Sequence, residues 1–239
     1  MPHPRPSGDS EGLSTLLRSG TSAVHKEAEA RPFMQAFFAG RLPRHAYIGW
    51  LARQWHLYRT LEAGLDSLPS AAPEHGLVPV ELYRTERIEA DLDHLTDGDW
   101  RHKDHLSAAT RAYVERIEAA GALPTLLIAH AWLRYMGNVG GREVLRRLVA
   151  TSIGAAEGDE RGLAFTDYAA VGEIRPFFAD FHAKLDALPL TDDHKVRVVQ
   201  EADAGFQLNI ALTDELAIDH GIAPALLGDG TGPSVHEVS

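Results

Sequence analysis

The chain has 239 residues, 44% of them hydrophobic, so it can bury one sizeable core, and a single domain fits better than two. Its 23 Lys and Arg residues against 34 Asp and Glu residues give a formal charge of −11, which disfavours nucleic-acid binding because phosphate neutralisation needs a basic face. The lack of cysteine excludes disulfides, thiolate nucleophiles and metal centres bound through thiolates.

The two ends of the chain differ in composition from what lies between them. Residues 1–12 (MPHPRPSGDSEG) and 228–239 (GDGTGPSVHEVS) are polar and rich in glycine or proline, which predicts flexible tails around one domain at 13–227. The start has no apolar signal-peptide core, and no run of about 18 apolar residues predicts a membrane helix. We therefore expect a cytoplasmic protein without a membrane anchor, and a monomer.

Apolar residues at intervals of three and four predict helices along nearly the whole domain. The predicted helices cover residues 13–30, 32–40, a helix opened by Pro43, about 76–95, about 102–120, a long helix that starts after Pro124, about 173–187, and 191–218. The last helix is predicted to carry one apolar stripe, formed by Val196, Val199, Phe206, Ile210 and Leu216. No alternating strand pattern, repeat or glycine-rich phosphate loop is present, so the predicted fold class is an all-α single domain.

The long helix contains an unusual run of glycines, YMGNVGGRE. Gly137, Gly140 and Gly141 each cost roughly 1 kcal/mol relative to alanine in a regular helix. The run predicts either a helix end followed by a second helix, or a kinked helix whose backbone lies close to a flat ligand. The pattern alone does not decide between the two.

A histidine and a glutamate share one face of the first predicted helix. His25 and Glu29 stand four residues apart, which makes them neighbours on a helix. A metal-binding histidine needs an acceptor that orients its other nitrogen, and a nearby carboxylate serves directly or through water. Most histidines are surface or core residues, so the pair by itself is only a weak indication of a metal site.

Three motifs, in this order along residues 13–220, together resemble the α-helical haem oxygenases of mammals, cyanobacteria and corynebacteria. The opening LRSGTSAVHKEAEARPFMQAFFAG resembles the family's proximal-helix motif, and LLIAHAWLRYMGNVGG resembles its distal-helix motif. The segment LPLTDDHKVRVVQEADAGFQLNIALTDEL resembles the last core helix. The resemblance implies a helical bundle that holds haem between a proximal helix and a kinked distal helix.

The resemblance also implies a set of site residues. By it, His25 is the proximal iron ligand, Glu29 helps to orient His25, and Arg18 stands at a basic position that attracts a haem propionate. The other positions are Gly137 and Gly141 in the flexible distal helix, Tyr58, Arg134 and Asn209 in the distal hydrogen-bond network, and Phe206 in the pocket wall.

The chain departs from the family at several of these positions. Asn138 stands where the family has a distal aspartate. A carboxylate accepts hydrogen bonds with both oxygens and can take up a proton, whereas an amide cannot shuttle a proton near neutral pH, although it can hold one water. Arg142 replaces a glycine and is expected to be exposed, and Phe178 and His182 stand where basic residues are usual near the propionates. His130, in the same motif as Asn138, is expected to be structural.

Three functions are compatible with the sequence. The resemblance implies first a haem oxygenase that cleaves haem to biliverdin, CO and ferrous iron with O2. Its electrons would come from a partner such as ferredoxin or a flavin reductase, since no Rossmann fingerprint is present. The second is a haem-binding protein for storage, delivery or sensing, with ring cleavage impaired by Asn138.

The third function is a non-haem di-iron oxidase on a similar helical scaffold. Such a site needs Glu and His residues that converge from several helices. The available pairs are Asp91 with His94 and His102 with His105. We interpret both pairs as solvated helix faces.

Overall fold

The structure, a computed structural model, describes residues 11–103 and 106–222. Its helices are α1 (Leu13–Gly20), α2 (Ser22–Glu29), α3 (Pro32–Phe38), α4 (Arg44–Asp66), α5 (Thr85–Thr96), α6 (Ala108–Ala120), α7 (Pro124–Ala131), α8 (Gly137–Gly140), α9 (Arg142–Ile153), α10 (Ile174–Asp186) and α11 (Asp192–Asp219). No β-strand lies within these described ranges, and the all-α prediction is confirmed. Most of the two predicted tails, residues 1–10 and 228–239, lies outside the described residues.

Three predicted helices begin or end differently in the structure. The helix predicted over 13–30 breaks at Thr21, whose buried hydroxyl donates to the Leu17 carbonyl oxygen (2.7 Å), a bond that bends helices. The helix predicted from about 76 begins only at Thr85. The helix predicted from about 102 begins at Ala108, where the Ser107 side chain caps it by accepting the backbone N–H of Thr110.

Helix α11 is the centre of the fold. It packs against α1, α2, α3, α4, α6 and α7, and it begins as predicted, with the Thr191 side chain accepting the backbone N–H of His194. Val196 is 52% exposed, so its place on the predicted apolar stripe is wrong. Gly205 allows α11 to lie close to α7, because a Cβ atom there would lie 3.3 Å from His130 Nδ1.

A charged group is buried where α11 meets α7. His130 is fully buried, and its Nε2 lies 2.9 Å from Glu201 Oε1, which also accepts from Arg116 Nε (2.7 Å). Burial by itself would raise the pKa of Glu201, but the hydrogen bonds from His130 and Arg116 lower it to about 2. His130 therefore ties α7 to α11, which agrees with its expected structural role.

The glycine run produces an irregular helix. Helix α7 continues into a π-helical turn at Trp132–Met136, then into the short α8. The helix breaks at Gly141, where ψ is 13°, and α9 starts on the other side. The structure thus has a wide turn before the glycines and a second helix after them, which the first interpretation predicted; it does not test whether the backbone lies close to a flat ligand. None of the described helices is both long and apolar enough to cross a membrane.

Asp91 on α5 is buried, with an exposed fraction of 1%, so its expected place on a solvated face is wrong. Its carboxylate accepts the backbone N–H groups of Ala164 (2.8 Å) and Phe165 (2.7 Å) and holds that loop against α5. Burial raises the pKa of Asp91 to about 6, although the two backbone hydrogen bonds oppose the rise.

Asp91→Asn is expected to change how stability depends on pH. The folded chain binds the Asp91 proton more tightly than the unfolded chain, whose aspartate has a pKa near 3.8. The contribution of Asp91 to the free energy of unfolding is therefore greatest at low pH. It falls as the pH rises from about 4 to about 6, and it no longer changes at higher pH. In urea denaturation between about pH 4 and pH 8, the wild-type free energy minus that of the variant should fall by roughly 2–3 kcal/mol. A difference that does not change with pH would contradict this.

Candidate active site

A cleft of about 990 Å³, a volume that includes solvent at its mouth, separates α2 from the helix that carries the glycines. Most of its wall is apolar. The lining residues are His25, Ala28, Glu29, Met34, Phe37, Phe38, Trp50, Gln54, Tyr58, Leu133, Arg134, Gly137, Asn138, Val144, Leu145, Leu148, Phe206 and Asn209.

Eight of the ten site residues predicted from the sequence line this cleft; Gly141 and Arg18 do not. Gly141 is buried at the break between α8 and α9, so it shapes the helix rather than the cleft surface. Arg18 is exposed in the last turn of α1. The pKa of His182 is lowered mainly by burial, is raised by the charge of Asp186, and is lowered to a smaller extent by the charge of Arg18.

The proximal wall is built on α2. Its buried residues Val24 and Ala28 pack against Phe206 and Ile210 of α11, which fixes the direction of the helix. His25 stands between them, and its ring meets the Phe206 ring edge-on at a centroid distance of 5.2 Å. His25 is thereby presented to the cleft by an apolar contact on its flank.

Glu29 stands beside one ring nitrogen of His25. His25 Nδ1 lies 3.8 Å from Glu29 Oε2, which is an ion-pair distance but too long for a direct hydrogen bond. A water bridge is the arrangement that suits this distance. Because Nδ1 is turned toward the carboxylate, Nε2 is the nitrogen that would bind a metal.

The distal wall centres on the hydroxyl of Tyr58. This hydroxyl donates to the backbone carbonyl oxygen of Arg134 (2.9 Å), in the π-helical turn, and accepts from Asn138 Nδ2 (3.0 Å). Burial raises the pKa of Tyr58, while the Arg134 charge opposes the rise. Tyr58 thus stays protonated and joins α4 to both the π-helical turn and α8.

The Arg134 guanidinium is buried beside this junction. It donates to Asn209 Oδ1 (3.2 Å) and to the side-chain oxygen of Gln54, and it lies 5.4 Å from the ring centroids of Tyr58 and Tyr113. Gln54 was not predicted from the sequence. Its only signal is its position one turn before Tyr58, which places both side chains on one face of α4.

The cleft has space at Gly137 where a side chain would otherwise stand. A Cβ atom added to Gly137 would meet no protein atom within 4 Å, and Gly137 lines the cleft. Glycine here lets the helix backbone itself form the surface. A histidine nitrogen on one wall and bare backbone on the other suit a flat group with a central metal.

Arg142 is not exposed as the sequence led us to expect. It is half-buried and donates to the carbonyl oxygens of Gly172 (3.0 Å) and Tyr168 (3.4 Å), so it anchors the loop before α10. Phe178 lies near the break, because a Cβ atom on Gly140 would be 3.6 Å from its ring. The Phe178 ring also packs against the ring of His182 (5.6 Å).

A di-iron centre has no ligand set in the described part of the chain. Within residues 11–103 and 106–222, no three His, Asp or Glu side chains lie together as a metal site. The Asp91 carboxylate already accepts hydrogen bonds from two backbone N–H groups. His94 and His102 are exposed, and His105 lies outside the described residues.

These features define an all-α protein with a cleft for a flat metal-centred group between a histidine and a glycine-containing helix. The family model Heme oxygenase matches residues 11–215. Heme oxygenase 1 of Gallus gallus is 33% identical, over 87% of this chain and 70% of its own, and heme oxygenase 1 of Nostoc is 31% identical over 87% of each. The chain therefore belongs to the heme oxygenase family.

Solved structures agree with this assignment. Heme oxygenase from Leptospira interrogans has a TM-score of 0.79 and 30% identity, over 86% of this chain and all of the other. Heme oxygenase-1 from Synechocystis in complex with heme has a TM-score of 0.79 and 27% identity, over 89% and 97%.

Tyr58→Phe is expected to lower the free energy of unfolding by roughly 1–3 kcal/mol, since it leaves the Arg134 carbonyl and the Asn138 amide without their buried partner. Urea denaturation measures the change. Tyr83→Phe is the matched control, because the Tyr83 hydroxyl bonds to Asp66 at an exposed site, and its loss should matter less. Equal losses in the two variants would contradict a special role for the Tyr58 junction.

Proposed function

We propose that this protein is a haem oxygenase, which cleaves haem to biliverdin, CO and ferrous iron with O2 and external electrons. The observation that carries the proposal is that His25 and Gly137 line one cleft, in a chain that matches the family over residues 11–215. When bound, the haem supplies both the iron that activates O2 and the ring that is oxidised.

The proximal residues would hold the haem. His25 would bind the iron through Nε2, and Glu29, 3.8 Å from Nδ1, would orient the imidazole through a water molecule. Phe206 packs against the imidazole and closes one flank of the cleft. Arg18 lies outside the cleft and would attract a propionate by charge.

The distal residues control what reaches the other face. Gly137 would let the ring lie close to the helix backbone, and Gly141 supplies the break in this helix. Tyr58, Arg134 and Asn209 form a connected polar wall. Ordered water on such a wall is suited to deliver protons to a reacting oxygen.

A haem-binding protein with slow or absent ring cleavage is the second candidate, and Asn138 favours it. The amide donates to Tyr58 and cannot take up a proton near neutral pH. Storage, delivery or sensing of haem would then be the function of the same cleft.

We further propose that a separate ferredoxin or flavin reductase supplies the electrons and that the protein acts as a cytoplasmic monomer. The sequence carries no nicotinamide or flavin fingerprint, which supports an external donor. Reduction of the haem complex by each donor in turn identifies the reductase class, and light scattering on the purified protein gives the oligomeric state.

His25→Ala is expected to weaken hemin binding by at least about tenfold and to abolish the sharp Soret band of imidazole-bound haem, because no other described histidine lines the cleft. Spectral titration of the haem-free protein with hemin measures both. His94→Ala, at an exposed position on α5, is the control and should bind hemin like the wild type. An unchanged spectrum in His25→Ala would exclude this residue as the ligand.

Turnover of the haem complex with ascorbate or a reductase, O2 and catalase separates the two candidate functions. We expect the wild type to form biliverdin, and Asn138→Asp to raise the rate up to about tenfold, since a carboxylate accepts with both oxygens and takes up a proton. Haem that persists in the wild type but is cleaved by Asn138→Asp would establish the haem-binding function. No Soret band in either protein would refute both.

A further inference from the structure

The C-terminal end of α11 is closed by a capping turn. Gly221 has a φ of +62°, the left-handed conformation that glycine adopts readily at the end of a helix. The backbone N–H of Ile222 donates to the Ala217 carbonyl oxygen (2.8 Å). The backbone N–H of Gly221 donates to the Ile218 carbonyl oxygen (3.2 Å). This turn buries the Ile222 side chain and fixes the position of His220, the capping residue of the helix.

The imidazole of His220 lies on the backbone of α4. A Cβ atom added to Gly49 would lie 2.6 Å from His220 Nε2, so glycine at this position leaves the room that the ring occupies. His45, one turn before Gly49, places its own ring beside that of His220, with the centroids 5.2 Å apart and the planes at 52°. His45 is exposed and His220 is half-buried. Two imidazoles therefore meet where the end of α11 packs on the beginning of α4.

The charged groups around the two rings favour a neutral His220. Arg53, two turns after His45 on α4, donates to Asp219 (2.6 Å) and to Glu215 (3.2 Å) of α11. The two carboxylates that accompany the rings are thus paired with a guanidinium. Burial lowers the pKa of His220, the charges of His45 and Arg53 lower it further, and the charge of Asp219 opposes them.

Protonation of both rings turns this contact from favourable to unfavourable. Two charged imidazoles at this separation repel each other, and Arg53 repels His220 as well. A histidine in an unfolded chain takes up its proton near pH 6.5. Because the pKa of His220 is lower in the folded chain, the stability that this contact gives is present above about pH 6.5. It is lost as the pH falls through that value toward the folded pKa.

We propose that His45 and His220 form a pH-sensitive clasp, which holds the last turn of α11 against α4 when the rings are neutral and releases it when both are charged. The clasp goes beyond the function proposed above and does not depend on it, since neither histidine lines the cleft.

The opening is confined to the end of the helix. The ion pairs of Arg53 with Glu215 and of Arg31 with Asp214 lie one turn further back and contain no histidine. They keep the preceding part of α11 in place when the clasp is open. Opening exposes Ile222, whose side chain is only 5% exposed in the closed turn.

Hydrogen exchange measured by NMR in the haem-free protein tests the clasp. The reporter is the backbone amide of Ile222, whose hydrogen bond to Ala217 closes the turn. Its protection factor, the exchange rate of an unfolded chain divided by the observed rate, should fall roughly tenfold from about pH 7.5 to about pH 5, the effect of two like charges near a protein surface. The amide of Leu212, on the same helix, should keep its protection. Equal losses at both amides would mean that the whole helix opens, which would overturn the proposal.

Two variants and a control identify the groups responsible. His45→Asn and His220→Asn each remove one of the two charges, so the fall in protection at Ile222 should shrink to less than about threefold. In His45→Asn, an NMR titration should also show a higher pKa for His220 than in the wild type. His75→Asn, which changes an exposed histidine outside the contact, should behave like the wild type. The proposal is wrong if the wild type keeps its protection at low pH, or if either clasp variant loses as much as the wild type.

Discussion

The distal side of the cleft depends on the burial of one positive charge, the guanidinium of Arg134. A buried charge is tolerated only when hydrogen bonds replace the water that it has lost. Here Gln54 on α4 and Asn209 on α11 supply side-chain oxygens, and the rings of Tyr58 and Tyr113 cover the flat faces. Because these partners come from three different helices, satisfying Arg134 also sets how those helices meet around the cleft.

The central helix α11 carries this arrangement from one wall to the other. Within ten residues it provides Glu201 to the buried His130, Phe206 to the proximal histidine and Asn209 to the buried arginine. These contacts point in different directions around the helix, which explains why it is buried on several sides. Because α11 contributes side chains to both walls, its polar and apolar residues are not confined to two separate faces of the helix.

The sequence predicted the all-α fold and eight of the eighteen residues that line the cleft, because helical periodicity is local and the three motifs are specific. It did not predict Gln54, since nothing near that residue in sequence shows that an arginine eighty residues later needs an acceptor. Asp91 and Arg142 were misplaced for a related reason. Charged residues are usually exposed, and only the loops at 164–172 supply the backbone partners that bury them.

Gly205 has a mechanical consequence for the cleft. It touches the distal side, where a Cβ atom would lie 3.1 Å from Leu133 Cδ1, while the next residue, Phe206, supports the proximal histidine. The two walls are thus separated at this edge by a single thickness of backbone. The packing of Gly205 and Phe206 therefore sets the distance between the two walls at this edge of the cleft.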